Sequence, residues 1–136
     1  MAKTMKHPEY DLQVRICKYL RLKYPKVYFM SDTIANIKLT MSQAGRNKAI
    51  QCDGFKCPDI IIFEPRKGYH GLFIELKVKS PYLNTGKLST VKHTQEQGKT
   101  INRLNYMGYK ALFSWDYDQT IQIIDEYLGD EKMFQL

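Results

Sequence analysis

Acidic residues are scarce over most of this chain. Residues 1–40 hold three Asp or Glu against eight Lys or Arg, residues 41–110 hold five against twelve, and only residues 111–136 reverse the balance, with six against one. The net charge of +7 is therefore a basic body followed by an acidic end. Such a body favours a polyanionic partner, nucleic acid first, although an ordinary basic surface carries the same charge. Cysteine is also sparse: Cys17, Cys52 and Cys57 are an odd number in a chain of 136 residues. This excludes a disulfide-stapled scaffold and fits a reducing compartment, with the cytoplasm as the expected location. Cys52 and Cys57 together with His70 and His93 offer no familiar zinc spacing.

Long apolar runs are missing as well. Near the most apolar stretch the run extends only from Ile60 to Phe63, far short of the roughly 20 residues of a membrane helix. The segment Met1 to Lys6 has no apolar core of a signal peptide, so neither a membrane nor secretion is expected. Repeats, low-complexity tracts and linkers are absent, and the length suits one core. A single domain over residues 1–136 is expected.

Pro8 and Glu9 open a helix that carries Leu12, Ile16, Tyr19 and Leu20 at helical spacing and stops at Pro25. Glu9, Gln13, Ile16 and Leu20 form one row running from polar to apolar. Glu9 and Gln13 can thus point past the core edge into a site, or be solvated first-turn residues. Val27 to Ser31 reads as a strand, Thr40 to Ile50 as a helix weakened by Gly45, and Gln51 to Lys56 as a loop. Two strands follow, Cys57 to Phe63 and Gly71 to Lys79, joined by a turn over Glu64 to His70. After the loop Ser80 to Lys87, Ser89 or Thr90 caps a helix ending near Met107 and Gly108. Tyr109 to Trp115 is a strand. Asp116 and Gln119 form a capping-box pair before a helix with Tyr117, Ile121, Ile124 and Leu128. The last eight residues read as an acidic tail. The order predicts an α/β domain, a small mixed β-sheet flanked by helices.

Strand alternation puts Phe73, Glu75, Lys77 and Lys79 on one face and Leu72, Ile74, Leu76 and Val78 on the other. If the two central strands pair, Asp59 and Glu75 meet at one edge. Paired carboxylates repel unless a cation lies between them, and hard oxygen donors suit Mg2+ or Mn2+. A lysine beside them can orient water or stabilise charge on phosphate. That set suits phosphodiester hydrolysis, while on spacing alone the Glu-x-Lys triplet also describes a surface ion pair.

Further residues make a larger pattern. Glu9 and Gln13 on the first helix, Gly54-Phe55-Lys56-Cys57-Pro58-Asp59, Gly71-Leu72-Phe73-Ile74-Glu75-Leu76-Lys77, and Gln97 with Leu104, Gly108 and Tyr109 resemble the VRR-NUC domains, nucleases of the PD-(D/E)XK superfamily. The resemblance runs from Pro8 to Tyr127. It implies a restriction-endonuclease-like fold and a Mg2+- or Mn2+-dependent endodeoxyribonuclease, with Asp59, Glu75 and the Leu76 carbonyl holding metal. It also implies that Lys77 serves the attacking water, that Glu9 completes the metal shell, and that Gln97 positions Lys77 or the DNA. Gln97 is preferred to Gln95 because it stands seven before Leu104 and eleven before Gly108.

Stand-alone relatives of this kind look like structure-selective enzymes. The implied substrate is branched DNA such as a four-way (Holliday) junction, and the implied assembly is a homodimer. Flaps, single strands, RNA and a non-catalytic nucleic-acid-binding module are the alternatives. Lys79, Lys87, Lys92 and Lys99 flank the site as candidate DNA phosphate contacts. His93, one helical turn before Gln97, can contact phosphate near the site but reads first as a surface histidine. Tyr82 can stack on an unpaired base but reads first as a partly packed loop tyrosine.

Overall fold

The computed structural model describes residues 7–32 and 37–129, so the acidic tail falls almost wholly outside the described residues. The elements are α1 (Pro8–Lys23), β1 (Phe29–Ser31), α2 (Met41–Ala49), β2 (Ile60–Ile62), β3 (Leu72–Leu76), α3 (Lys92–Tyr106), β4 (Lys110–Ser114) and α4 (Tyr117–Leu128). The strands form one mixed sheet in the order β1-β2-β3-β4. β1 and β2 pair antiparallel, as do β2 and β3. β3 and β4 are parallel, with α3 carrying the chain between them. This is the predicted small α/β sheet flanked by helices.

The two sheet faces follow from the period of two along each strand. On one face Ile60, Ile62, Leu72, Ile74 and Leu76 pack with Leu12, Ile16 and Leu20 of α1 and Ile124, Tyr127 and Leu128 of α4. Most of these side chains have no exposed surface, so each contributes about 1.5–3 kcal/mol by burial. On the other face Phe73, Ala111 and Phe113 pack against Ile101 and Leu104 of α3. Glu75 stands opposite Phe113 in the parallel register and therefore faces α3, a polar group next to a core layer.

Several element ends differ from expectation, each for a local reason. β2 begins at Ile60, not Cys57, because Pro58 has no N–H and the Asp59 carboxylate is turned to the Leu76 N–H at 2.7 Å. β3 stops at Leu76; Lys77 N–H donates to the Ser114 carbonyl at 2.8 Å, and Val78 and Lys79 then bend away. Lys79 is thus not held on the Glu75 face.

Neither Ser89 nor Thr90 caps α3, whose N-cap is Val91 without a side-chain bond. The Ser89 hydroxyl accepts from the Val91 N–H at 3.3 Å, and its carbonyl accepts from Gln95 Nε2 at 2.6 Å. At α4, Asp116 caps the Gln119 N–H at 2.7 Å, but Gln119 Oε1 turns to the Trp115 N–H at 2.8 Å instead of completing the box. A reciprocal box does form at Thr40 and Gln43 ahead of α2, a helix with no buried residue. At the far end of α3, Asn105 Nδ2 donates to the Ala111 carbonyl at 2.9 Å and its Oδ1 accepts the Ala111 N–H at 2.8 Å.

A polar cluster ties α1 to α4. The hydroxyls of Tyr19 and Tyr24 both donate to Asp125 Oδ1 at 2.6 Å, and Lys23 Nζ lies 3.1 Å from the same oxygen. Burial pushes the Asp125 carboxyl up, but these hydrogen bonds outweigh it and hold the group below the usual carboxylate range. Its stabilisation is therefore fully present above the unfolded pKa and lost as pH falls through the folded one. Asp125→Asn is expected to cost about 1–3 kcal/mol at pH 7, mostly from the tyrosine bonds, because the exposed lysine adds little. Urea unfolding of both proteins from pH 7 to pH 3 should show the difference shrinking with acid; a constant difference would mean the loss is packing.

Candidate active site

The site is assembled at the C-terminal end of β3. Asp59 precedes β2, Glu75 lies near the end of β3, and the antiparallel register places Ile60 opposite Ile74, so the two carboxyl groups meet across one rung. Asp59 Oδ2 accepts the Leu76 N–H at 2.7 Å, which fixes its carboxylate beside the strand. Its carbonyl accepts from Gln13 Nε2 at 3.2 Å and from the Asp32 N–H at 3.3 Å. α1 and the end of β1 thus hold the residue from behind. Gln13 is buried and does face inward, as one of the two sequence readings had it.

Glu75 is only 6% exposed, and Gln97 Nε2 donates to its Oε1 at 2.8 Å. Gln95 turns instead to the Ser89 carbonyl at 2.6 Å. Gln97 Nε2 also lies 3.1 Å from His93 Nε2, while its Oε1 is buried with no hydrogen-bond partner. His93 is exposed, as expected of a surface histidine, yet it reaches the site through Gln97.

Electrostatics sets the pair apart from ordinary surface carboxylates. Burial, then the charge and hydrogen bond of Asp59, push Glu75 up to about 10, with Lys77 opposing and Glu9 reinforcing the shift. Burial also raises Asp59, against the hydrogen bonds from Glu75 and the Leu76 N–H, with Glu9 and Asp32 adding to the rise. Each carboxyl group thus disfavours the charged form of the other. Burial raises the neighbouring Cys57 thiol to about 11, with Asp32, Glu75 and Asp59 adding, which makes it an inert neighbour and not a nucleophile.

Glu9 is exposed on the first turn of α1 and acts on both carboxyl groups only through its charge. Among the described residues no three His, Cys, Asp or Glu side chains form a metal-holding group. What the chain offers a cation is a buried carboxyl group, Glu75, and a half-buried one, Asp59, side by side at a strand end. That donor set fits Mg2+ or Mn2+, which take one or two carboxylates and fill the rest of the shell with water and phosphate oxygens.

Lys79, Lys87 and Lys92 are exposed along the segment that leaves β3 and enters α3. Lys99 shares a helix face with Lys92, seven residues on, and lines a cleft of about 300 Å³ with Arg103 and the 52–55 loop. Glu96 lies in the same row but pairs with Lys56 at 3.2 Å. One neighbour escaped sequence reasoning. Asp32 carried no usable signal, since only the pairing of β1 with β2 brings it beside Asp59. It borders a cavity of about 590 Å³ between α1 and β1, lined also by Tyr10, Gln13 and Cys17.

The sequence matches no family model and no curated protein. Among solved structures it is similar to one described as a VRR_NUC domain protein, with 22% identity, 93% of this chain and 91% of that chain covered, and a TM-score of 0.62. At that identity the likeness speaks for architecture, and it spans nearly the whole of both chains. The chain has the VRR-NUC fold.

Proposed function

We propose that the protein is a Mg2+- or Mn2+-dependent DNA endonuclease that hydrolyses phosphodiester bonds in branched DNA such as four-way junctions. The observation that carries the reading is the Asp59–Glu75 pair: a half-buried and a buried carboxyl group braced by the Leu76 N–H and Gln97 at the end of β3, with Lys77 next in the chain. A structural ion pair would not be built this way, because it would place the lysine between the acids and relieve both.

In this reading Asp59, Glu75 and the Leu76 carbonyl hold the cation, and Glu9 reaches its shell directly or through water. When bound, the cation supplies charge to the phosphoryl oxygens and lowers the pKa of a water. Lys77 orients the attacking water and stabilises charge gathering on phosphate. Gln97 holds Glu75 in place, and its free Oε1 is an acceptor for that water or for a second ligand. Lys79, Lys87, Lys92 and Lys99 hold the DNA backbone and position it without reading sequence.

A four-way junction presents two symmetric cuts, which a two-fold homodimer with two sites matches. Among the described residues no helix is long and apolar enough to cross a membrane, and the described cysteines, Cys17, Cys52 and Cys57, are free. The cytoplasm is the proposed location.

The test is a panel of four-way junction, flap, duplex, single-stranded DNA and RNA, each with Mg2+, Mn2+ or chelator. Junction cleavage that requires the metal and is lost with chelator is the expected result. Metal-independent binding without cleavage of any substrate would leave a nucleic-acid-binding module instead. Preference for flaps or linear duplex would overturn the junction assignment and keep the chemistry.

A further inference from the structure

The segment joining Glu75 to Glu96 is unlike the rest of the surface. Residues 76–95 contain four lysines, one histidine and no acid. Within it, Pro81 to Ser89 is folded back on itself as a small hairpin. Leu83 N–H donates to the Lys87 carbonyl at 2.7 Å, Gly86 N–H to the Leu83 carbonyl at 2.9 Å, and Ser89 N–H to the Pro81 carbonyl at 2.8 Å. Tyr82 and Leu88 bridge across it. Gly86 takes φ +83°, the left-handed turn position that glycine occupies without cost.

The hairpin is also fastened to the domain. Gln95 holds the Ser89 carbonyl at 2.6 Å, and Pro81 is buried. Leu88 sits so close to α3 that a Cβ on Gly98 would meet its Cδ2 at 2.6 Å. This is a preformed element and not a loose loop.

What it presents is aromatic. The Tyr82 ring packs edge-to-face on Phe113 at 6.2 Å and on Trp115 at 5.8 Å between centroids, yet 44% of the residue stays exposed. Leu83, Val78 and Val91 of the same segment are similarly open. Phe113 is the register partner of Glu75 across the parallel β3–β4 ladder. One strand spacing and one ring contact therefore separate the Tyr82 platform from the catalytic strand, a distance on the order of 10 Å. That spans only a few nucleotides, at about 3.4 Å per nucleotide in a stacked strand.

We propose that Tyr82, held by this hairpin over Phe113 and Trp115, is a stacking platform for an unpaired DNA base close to the scissile phosphate. The proposal rests on the nuclease reading and sharpens its substrate class to DNA with a base out of its stack, as at a branch point. A rigid, half-open aromatic ring in an acid-free, lysine-bearing segment suits a flat base on an anionic backbone. Lys79 and Lys87, on either side in sequence, supply the backbone contacts. A protein partner would be drawn to the apolar residues but would need a strongly acidic rim.

The test separates stacking from cleavage. In a Glu75→Ala background, 2-aminopurine is placed at unpaired positions one to three nucleotides from the branch of a flap or junction, and its fluorescence is followed on binding. Quenching is expected with Tyr82 and with Tyr82→Phe, and its loss with Tyr82→Ala and Tyr82→Leu. Affinity for the unpaired substrate should fall about tenfold in the last two and change less than twofold on intact duplex. Tyr82→Leu preserves an apolar side chain over Phe113 and Trp115, and thermal melting confirms that it folds.

The proposal is overturned if Tyr82→Leu quenches like Tyr82, if duplex and unpaired DNA lose equally, or if the variants alter sedimentation and not DNA binding. Quenching in a chain that cuts no substrate would support the platform and sink only the nuclease reading.

Discussion

Glu75→Gln is expected to reduce cleavage by at least about a thousandfold while making the metal-free protein more stable. The loss follows because the amide keeps the shape and the Gln97 bond but cannot carry the charge proposed to hold the cation. The gain follows from burial. Glu75 is raised from 4.5 to about 10, so its contribution is full below the unfolded pKa and is lost as pH rises through the folded one. Metal-free wild type should thus lose stability steadily above about pH 4.5, and Glu75→Gln should flatten that slope. At pH 8 the variant is expected to melt several degrees higher, corresponding to about 1–3 kcal/mol. Adding Mg2+ should raise the melting temperature of wild type and leave the variant unmoved. A variant that melts lower than wild type in chelator would contradict the electrostatic account of the pair.

Lys77→Met should lower kcat about 100- to 1000-fold and leave DNA affinity within a few-fold. The charge of Lys77 opposes the rise of Glu75, which places it in the field of the pair. The proposed phosphate contacts are made by Lys79, Lys87, Lys92 and Lys99, so binding survives the loss of Lys77. Lys77→Arg is not expected to rescue, because a planar fork cannot occupy the place of a compact ammonium. The measurement is single-turnover cleavage beside equilibrium binding. Unchanged cleavage, or equal loss of both quantities, would remove Lys77 from the chemistry.

Much of this arrangement was legible in residues close together in sequence. The Pro8 helix start and the Glu75 strand face depend on periods of 3.6 and 2, and the structure places both accordingly. Strand ends were less legible. Val78 is a β-former and extended the expected strand, but the ladder ends where Lys77 N–H meets Ser114. The hydroxyl of Ser89 looked like a helix cap and is committed to the Val91 N–H.

Contacts made by chain reversal were not legible at all. Asp32 reaches Asp59 only through the pairing of β1 with β2, and Asp125 meets Tyr19 and Tyr24 from about a hundred residues away in sequence. The basic run was visible as charge, but the hairpin that orders its middle depends on the close approach of Leu88 to Gly98.

Asn105 has a consequence for how copies of this protein behave at high concentration. A sheet edge offers unpaired N–H and C=O groups to any strand that comes alongside. On β4 the Ala111 pair, which would lead such docking, is already taken by one amide side chain acting as a one-residue mock strand. The Ala111 rung of the outer β4 border is thereby closed to strand addition, and the opposite border, β1, is only three residues long and a poor template for aggregation.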